Sequence, residues 1–504
     1  MDEECAAMKY VRGWALLVCV LGMLPGSARA HVGSKDVFEE TSAGPYKLFV
    51  TIRPPVVIPG VAGVEVRTSG AEVRSITVAP LTLTGVGSEH PPVPDAMKRS
   101  GVDPKFYTAS VWMMQAGSMQ VHFDVDGASG KYAAAVPVAA IAIKTLKMQR
   151  AFGWSLGIAG IILIVGMGGI AGAAVREGNL QPGAAPTTAL RRRGLVVSGV
   201  TIAICLGMVW GGDKWWNVEA ANFADTVYRP LSVTDRVEGD HLRMLVGAHD
   251  SARLDQVRSN GDFILDHGQP MHLYVVREPE LDAVYHLHPK FTRAGEFDLD
   301  LPMMPAGTYR LYGDVVHANG FPETLVSTLD LPGGVKGVAL GELDAEGHPA
   351  PLSAGELGSS YKLPDGYTMV WERPAALTAN TAYAFHFELL GPDGKAATGM
   401  RTYLGMAGHA AFLKTDGTVF AHVHPAGSAA MAAMMLANNE GSMAAASDSG
   451  GLGGMAGMGA ADVALSSNAV EFPYGFPSAG RYRVFVQMKH DSVVETGVFD
   501  AVVK

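Results

Sequence analysis

The reading of this chain turns on three short stretches. They are Met271-His272-Leu273, Tyr285-His286-Leu287-His288-Pro289, and Ala306-Gly307-Thr308-Tyr309-Arg310, which runs on to His317. The set returns as Gly408-His409-Ala410, Ala421-His422-Val423-His424-Pro425 and Ala479-Gly480-Arg481-Tyr482-Arg483, which runs on to His490. The spacings agree. His272 precedes His286 by 14 residues and His409 precedes His422 by 13, while Tyr309 to His317 and Tyr482 to His490 are both 8. A fainter third copy, Met113 to Gln120, lacks H-x-H-P and has Gly127 where the closing His would stand.

Around these stretches lie short β-patterned runs separated by Gly, Pro, Asp and Asn. Examples are 46–52, 119–125, 271–276, 308–316, 382–389 and 481–488. Strands at such spacing, without long amphipathic helices, predict β-sandwiches. The expected fold is therefore mainly β: three related sandwiches of the immunoglobulin or cupredoxin kind, with two transmembrane helices between the first and the second.

Composition supports export. Of 504 residues, 48% are hydrophobic and only 17% charged, with a net charge of −10. No Lys/Arg stripe is present to neutralise phosphates, which excludes a nucleic-acid partner. Lys9 and Arg12, the apolar run 14–24 and the Ala28-Arg29-Ala30 site read as a signal peptide over 1–30, with Met8 as the start. Two uncharged runs, 151–175 and 194–212, are each long enough to span a bilayer core of about 20 residues. The loop between them, 176–193, carries Arg176 and Arg191 to Arg193, which the positive-inside rule places in the cytoplasm. The expected order is a sandwich at 31–150, the helix pair, a sandwich at 213–333, a linker at 334–364 and a sandwich at 365–504. The domains would face the periplasm from the inner membrane. Gly153/Gly157 and Gly168/Gly172 have the spacing of packed helices.

Cysteine is nearly absent. Cys5, Cys19 and Cys205 leave no disulfide framework, thiolate metal site or cysteine nucleophile. Against this stand 16 His and 24 Met. Two imidazoles of an H-x-H can reach one ion, and His residues on neighbouring strands can close the site. The expected ligand sets are His272, His286, His288 and His317, and His409, His422, His424 and His490. Imidazole without thiolate suits Cu(II), Zn or Ni; copper is the expected metal, with zinc as the alternative. Met303, Met304, Met406 and Met488 lie nearby in sequence and would favour Cu(I). The insertion after His424, with Met431, Met434, Met435, Met443, Met455 and Met458, reads either as a Cu(I)-collecting loop or as low-complexity sequence. His31, first in the mature chain, would offer its α-amine and ring to another copper, with His90 or His122 as a third ligand.

The signal ending before His31, the sandwich pattern and the A-G-x-Y-R strand resemble the YtkA-like/CopC-like secreted copper-binding domains. The resemblance covers about half of the chain. It implies a β-sandwich that holds copper, and an N-terminal His31 that helps hold Cu(II). The family's D-G-H element has no clear counterpart here. The P-G-x-Y strand is shared with cupredoxins, but their C-x-H-x-M loop is missing, which excludes a blue-copper centre. No nucleophile elbow, P-loop, H-E-x-x-H or paired catalytic carboxylate stands out. The expectation is a non-enzymatic, membrane-anchored copper-binding protein for storage, transfer or tolerance, with a copper transporter or chaperone as partner. A metal-free envelope scaffold and a copper or zinc enzyme are the competing readings.

Overall fold

The structure is a computed structural model that describes residues 36–181, 183–247, 258–438 and 462–504. The signal peptide, His31, Met443, Met455 and Met458 lie outside the described residues. The chain is mainly β, with two apolar helices between the first sheets and the later ones.

The first sandwich pairs a five-stranded sheet with a four-stranded one. The strand Tyr46–Arg53 alternates Leu48, Val50 and Ile52 inward. The facing strand Gly117–Gly127 sends Val121, Phe123 and Val125 into the same core. The second sandwich packs the sheet of Val233–Glu238, His241–Val246, Glu296–Asp300 and Lys290–Arg293 against a six-stranded sheet centred on Gly307–His317 and His272–Glu278. The third packs Ser360–Lys362, Thr368–Glu372, Tyr383–Leu390 and Ala469–Tyr474 against a sheet centred on Gly480–His490 and His409–Lys414.

The three strands Gly117–Gly127, Gly307–His317 and Gly480–His490 are each 11 residues long and open on a glycine at positive φ (127°, 156° and 141°). The repeat seen in the sequence is thus a repeated strand, entered through a backbone conformation that L side chains rarely adopt.

The second and third sandwiches share a core of their own. Along His272–Glu278, Leu273 and Val275 enter the sandwich interior, while Tyr274 and Val276 face outward. Along His409–Lys414, Ala410 and Phe412 point inward, and Ala411 and Leu413 outward. The outward residues meet across the junction with Phe420, Phe485 and Tyr312. Tyr312 and Phe420 stack at 4.4 Å. Buried Arg483 pins this junction. It pairs with Asp500 at 2.9 Å and donates to the carbonyls of Leu281 in the opposing sandwich and of Ala350 in the stretch between the two.

The stretch 334–364 does more than link. Ala345–Gly347 pairs with Val284–Leu287 in the six-stranded sheet, and Ser360–Lys362 starts the third sandwich.

Helix α1 (Arg150–Glu177) and helix α2 (Thr188–Ala224) are both long and apolar enough to cross a membrane. Helix α2 extends at both ends past the expected apolar run 194–212. Thr187 caps it, its hydroxyl accepting from the Leu190 amide. The helices touch where both are small. Gly168, Gly172 and Gly194 are buried, and the Ser198 hydroxyl donates to the Gly168 carbonyl at 2.7 Å. Gly157 meets nothing within 4 Å, so only the second glycine pair acts in packing.

Candidate metal centre

Period-two alternation decides which histidines meet. His272 shares a face with Tyr274 and Val276, the face turned to the third sandwich. His286 lies on the same outward face beside Val284. His409 and His422 lie on the matching face of the third sandwich, in line with Ala411, Leu413 and Phe420. His272, His286 and His288 bring one ring nitrogen each to within 4.8 Å of one another, and His409, His422 and His424 do the same. The two triplets face each other. Rings His272 and His422 are 5.1 Å apart, His286 and His422 5.6 Å, and His272 and His409 6.2 Å.

Hydrogen bonds fix which nitrogens carry protons. His272 Nε2 lies 3.1 Å from the Asp266 carbonyl, which can only accept, so Nε2 donates and Nδ1 keeps its lone pair. His286 Nδ1 faces the Gln487 amide oxygen at 2.8 Å and Tyr403 Oη at 3.3 Å. The Tyr403 proton is committed to the Leu343 carbonyl at 2.8 Å. His286 Nδ1 therefore donates, and Nε2 keeps its lone pair. His272 Nδ1 and His286 Nε2 lie 3.2 Å apart, lone pair against lone pair. A cation between them resolves this. Two nitrogens each 2.0–2.1 Å from a tetrahedral ion lie about 3.3 Å apart.

The second triplet repeats the geometry. His409 Nε2 donates to the Tyr403 carbonyl at 3.2 Å, and His409 Nδ1 lies 3.1 Å from His422 Nε2. His422 Nδ1 faces Asp314 at 3.5 Å. Asp314 and Gln487 occupy the same place in the repeated strand, opposite His272 and His409 in register. The third sandwich thus holds the outer nitrogen of His286, and Asp314 of the second stands beside that of His422. The third members are His288, held by Asp344 at 2.9 Å with Nε2 buried and unpartnered, and His424, whose two ring nitrogens are both buried without a hydrogen bond.

Charge follows burial. Burial, with the crowding of other imidazoles, holds His272, His286, His409 and His422 well below the ordinary histidine range. Burial and neighbouring His267 push His424 down to about 4. The rings are neutral at pH 7, the state in which imidazole ligates a metal. Burial pushes Asp314 up to about 7.

The two expected quartets do not close, and strand parity is the reason. His317 shares a face with Tyr309 and Leu311, which point into the sandwich interior. It bonds Asp262 at 2.6 Å and Glu323 at 3.0 Å, using both ring nitrogens. These carboxylates outweigh burial and raise its pKa above the usual value. His490 likewise shares its face with core residues Tyr482, Val484 and Val486. It stacks on Tyr367 at 4.0 Å, beside Asp365 at 3.3 Å and Glu495 at 3.5 Å. Burial and Asp365 push Glu495 up to about 7.

His267 was not foreseen. It sits in the turn Asp266 to Gln269, with its ring 4.7 Å from that of His424 and Nε2 buried without a hydrogen bond. Only its place, five residues before His272, hinted at it. Of the methionines expected nearby, Met304 and Met488 belong to the sandwich cores, and Met303 is exposed. His122 is partly exposed beside Asp124 on the first sandwich.

The loop bearing His424 is clamped by the first sandwich. Glu40 N donates to the Ala426 carbonyl at 2.6 Å, and the Glu39 carboxylate accepts from Ala429 N at 3.2 Å. Helix α3 (Met431–Ala437) follows, its Ala432 amide donating to Asp266. A cavity of about 160 Å³ lies where the three sandwiches meet, reaching His422, His424, Asp266 and Asp314.

A family described as a domain of unknown function, DUF8832, matches residues 361–504. That span is the third sandwich, with His409, His422 and His424. No curated protein matches the chain. Among solved structures, an engineered protein is 22% identical over 19% of this chain and 21% of its own, at a TM-score of 0.15. A tetra-tandem repeat from the extending region of a large adhesion protein is 8% identical, covering 89% of this chain and 71% of its own, at a TM-score of 0.15. A bacterial ice-binding adhesin is 8% identical, covering 92% of this chain and 99% of its own, at a TM-score of 0.14. Likenesses at these scores add nothing to the reading of the site.

Proposed function

We propose that this chain is a membrane-anchored, exported metal-binding protein whose second and third sandwiches together hold a pair of copper ions. The observation that carries this is the facing of lone pairs at 3.2 Å between His272 and His286, in a triplet whose geometry the His409–His422 contact at 3.1 Å repeats. Histidines packed for stability alone would alternate donor and acceptor. Here the outer nitrogens of His272, His286, His288 and His409 are tied to oxygen acceptors, the arrangement typical of metal-bound imidazoles. Neutral imidazole without thiolate favours copper within the first-row order, and zinc is the competitor. The two apolar helices support anchoring, and the arginine-rich loop between them supports a cytoplasmic loop with exported sandwiches. Storage or transfer of the metal fits a site sealed by two sandwiches and reached through a small cavity.

The test is copper titration of the full chain in detergent, beside a variant with His286→Ala and His422→Ala. The expected result is two ions per wild-type chain and loss of both in the variant. Equal copper in the two proteins would sink the reading, and tighter zinc than copper would change the metal.

A further inference from the structure

The two triplets are related by the repeat, but the turns that precede them differ. Asp266-His267-Gly268-Gln269 and Tyr403-Leu404-Gly405-Met406 close the same way, each through paired backbone hydrogen bonds between first and last residues. His267 and Leu404 both stand at φ 51°, and Gly268 and Gly405 at 79° and 80°. In each turn the first residue's carbonyl holds the first histidine of its own triplet. At the second position one turn carries an imidazole and the other a buried leucine, which packs with Ala345 and Tyr403.

The His267 ring leans away from its own sandwich. It lies 4.7 Å from His424 and 5.2 Å from His409, but 5.9 Å from His272. With His424 and Asp266 it offers ligand atoms within 4.8 Å of one another.

Resting on the copper reading above, we infer that the two ions are inequivalent: His267 crosses the junction as a fourth imidazole for the ion of His409, His422 and His424, while the ion of His272, His286 and His288 keeps an open position. A four-coordinate ion with only protein ligands is held as a structural ion is, and a three-ligand ion exchanges or takes an external ligand. The open ion is the one that is loaded and surrendered, and it accepts a small anion such as azide.

The experiment loads the full chain in detergent with Cu(II) and follows its release to excess chelator. It then repeats the measurement on His267→Leu, which copies the other turn, and on Leu404→His, which makes the reverse change. Circular dichroism checks that each variant folds. Wild type should release one ion at least about tenfold faster than the other, with azide perturbing the spectrum of the fast ion alone. His267→Leu should make both ions fast and azide-sensitive. Leu404→His should slow the fast ion. Simultaneous release of both ions from wild type, or an unchanged slow ion in His267→Leu, overturns the inequivalence and leaves the copper pair standing. Failure of wild type to take up copper removes both.

Discussion

His288 shows what a single side chain must do to serve as a ligand here. Its Nδ1 proton is taken by Asp344, which leaves Nε2 aimed, buried and unpartnered. Asp344 comes from the stretch read from sequence as a linker. Such outer partners fix the ring's tautomer and orientation, and losing one costs about 10–100-fold in metal affinity. Asp344→Ala should therefore weaken copper binding by about that factor without changing the number of sites, as read by competition with a chelator of known affinity. An unchanged affinity would mean that the His288 ring is not held for a metal. The six triplet histidines were legible in the sequence because H-x-H and its repeat spacing survive in any register. Asp344, Gln487 and His267 were not. They come to the site through contacts between sandwiches or through a turn, and no local spacing encodes those contacts.

Among the elements, strand parity decided more than residue type. His317 and His490 end the repeated strand and share its inward face, while Asp314 and Gln487, three residues earlier, share the outward one. The strands themselves could be read in advance, since all six runs picked out by alternation fall on strands. Which face was the junction could not, because the outward faces are apolar too: Tyr274, Val276, Ala411 and Leu413 look like core from sequence alone. The helix pair carries its own prediction. A Cβ on Gly172 would clash with the Ser198 hydroxyl and lie 2.8 Å from the Gly194 carbonyl, whereas one on Gly157 meets open space. Gly172→Val should lower the thermal midpoint of the chain in detergent, and Gly157→Val should leave it within error. Equal effects would place the helix contact elsewhere.

On the scale of the whole molecule, three sandwiches converge on one buried centre, and the first contributes by clamping the His424 loop. Glu39 sits in that clamp, fully buried, and burial pushes it up to about 8 from an ordinary value of 4.5. A raised carboxyl pKa favours the folded state below the unfolded value, and that contribution is lost as pH rises through the folded one. From Glu39 alone, stability should fall between about pH 4.5 and pH 8. Glu39→Gln should flatten that part of the pH profile of the thermal midpoint, and an unaltered profile would mean that Glu39 is not buried in the clamp.

The most direct test of the metal pair is an anomalous difference map, collected at the copper edge, from crystals of the copper-loaded chain. Two peaks are predicted, one among His272, His286 and His288 and one among His409, His422 and His424, with His267 nearer the second. A map with no peak between the two sandwiches, from protein shown to carry copper, would contradict the account.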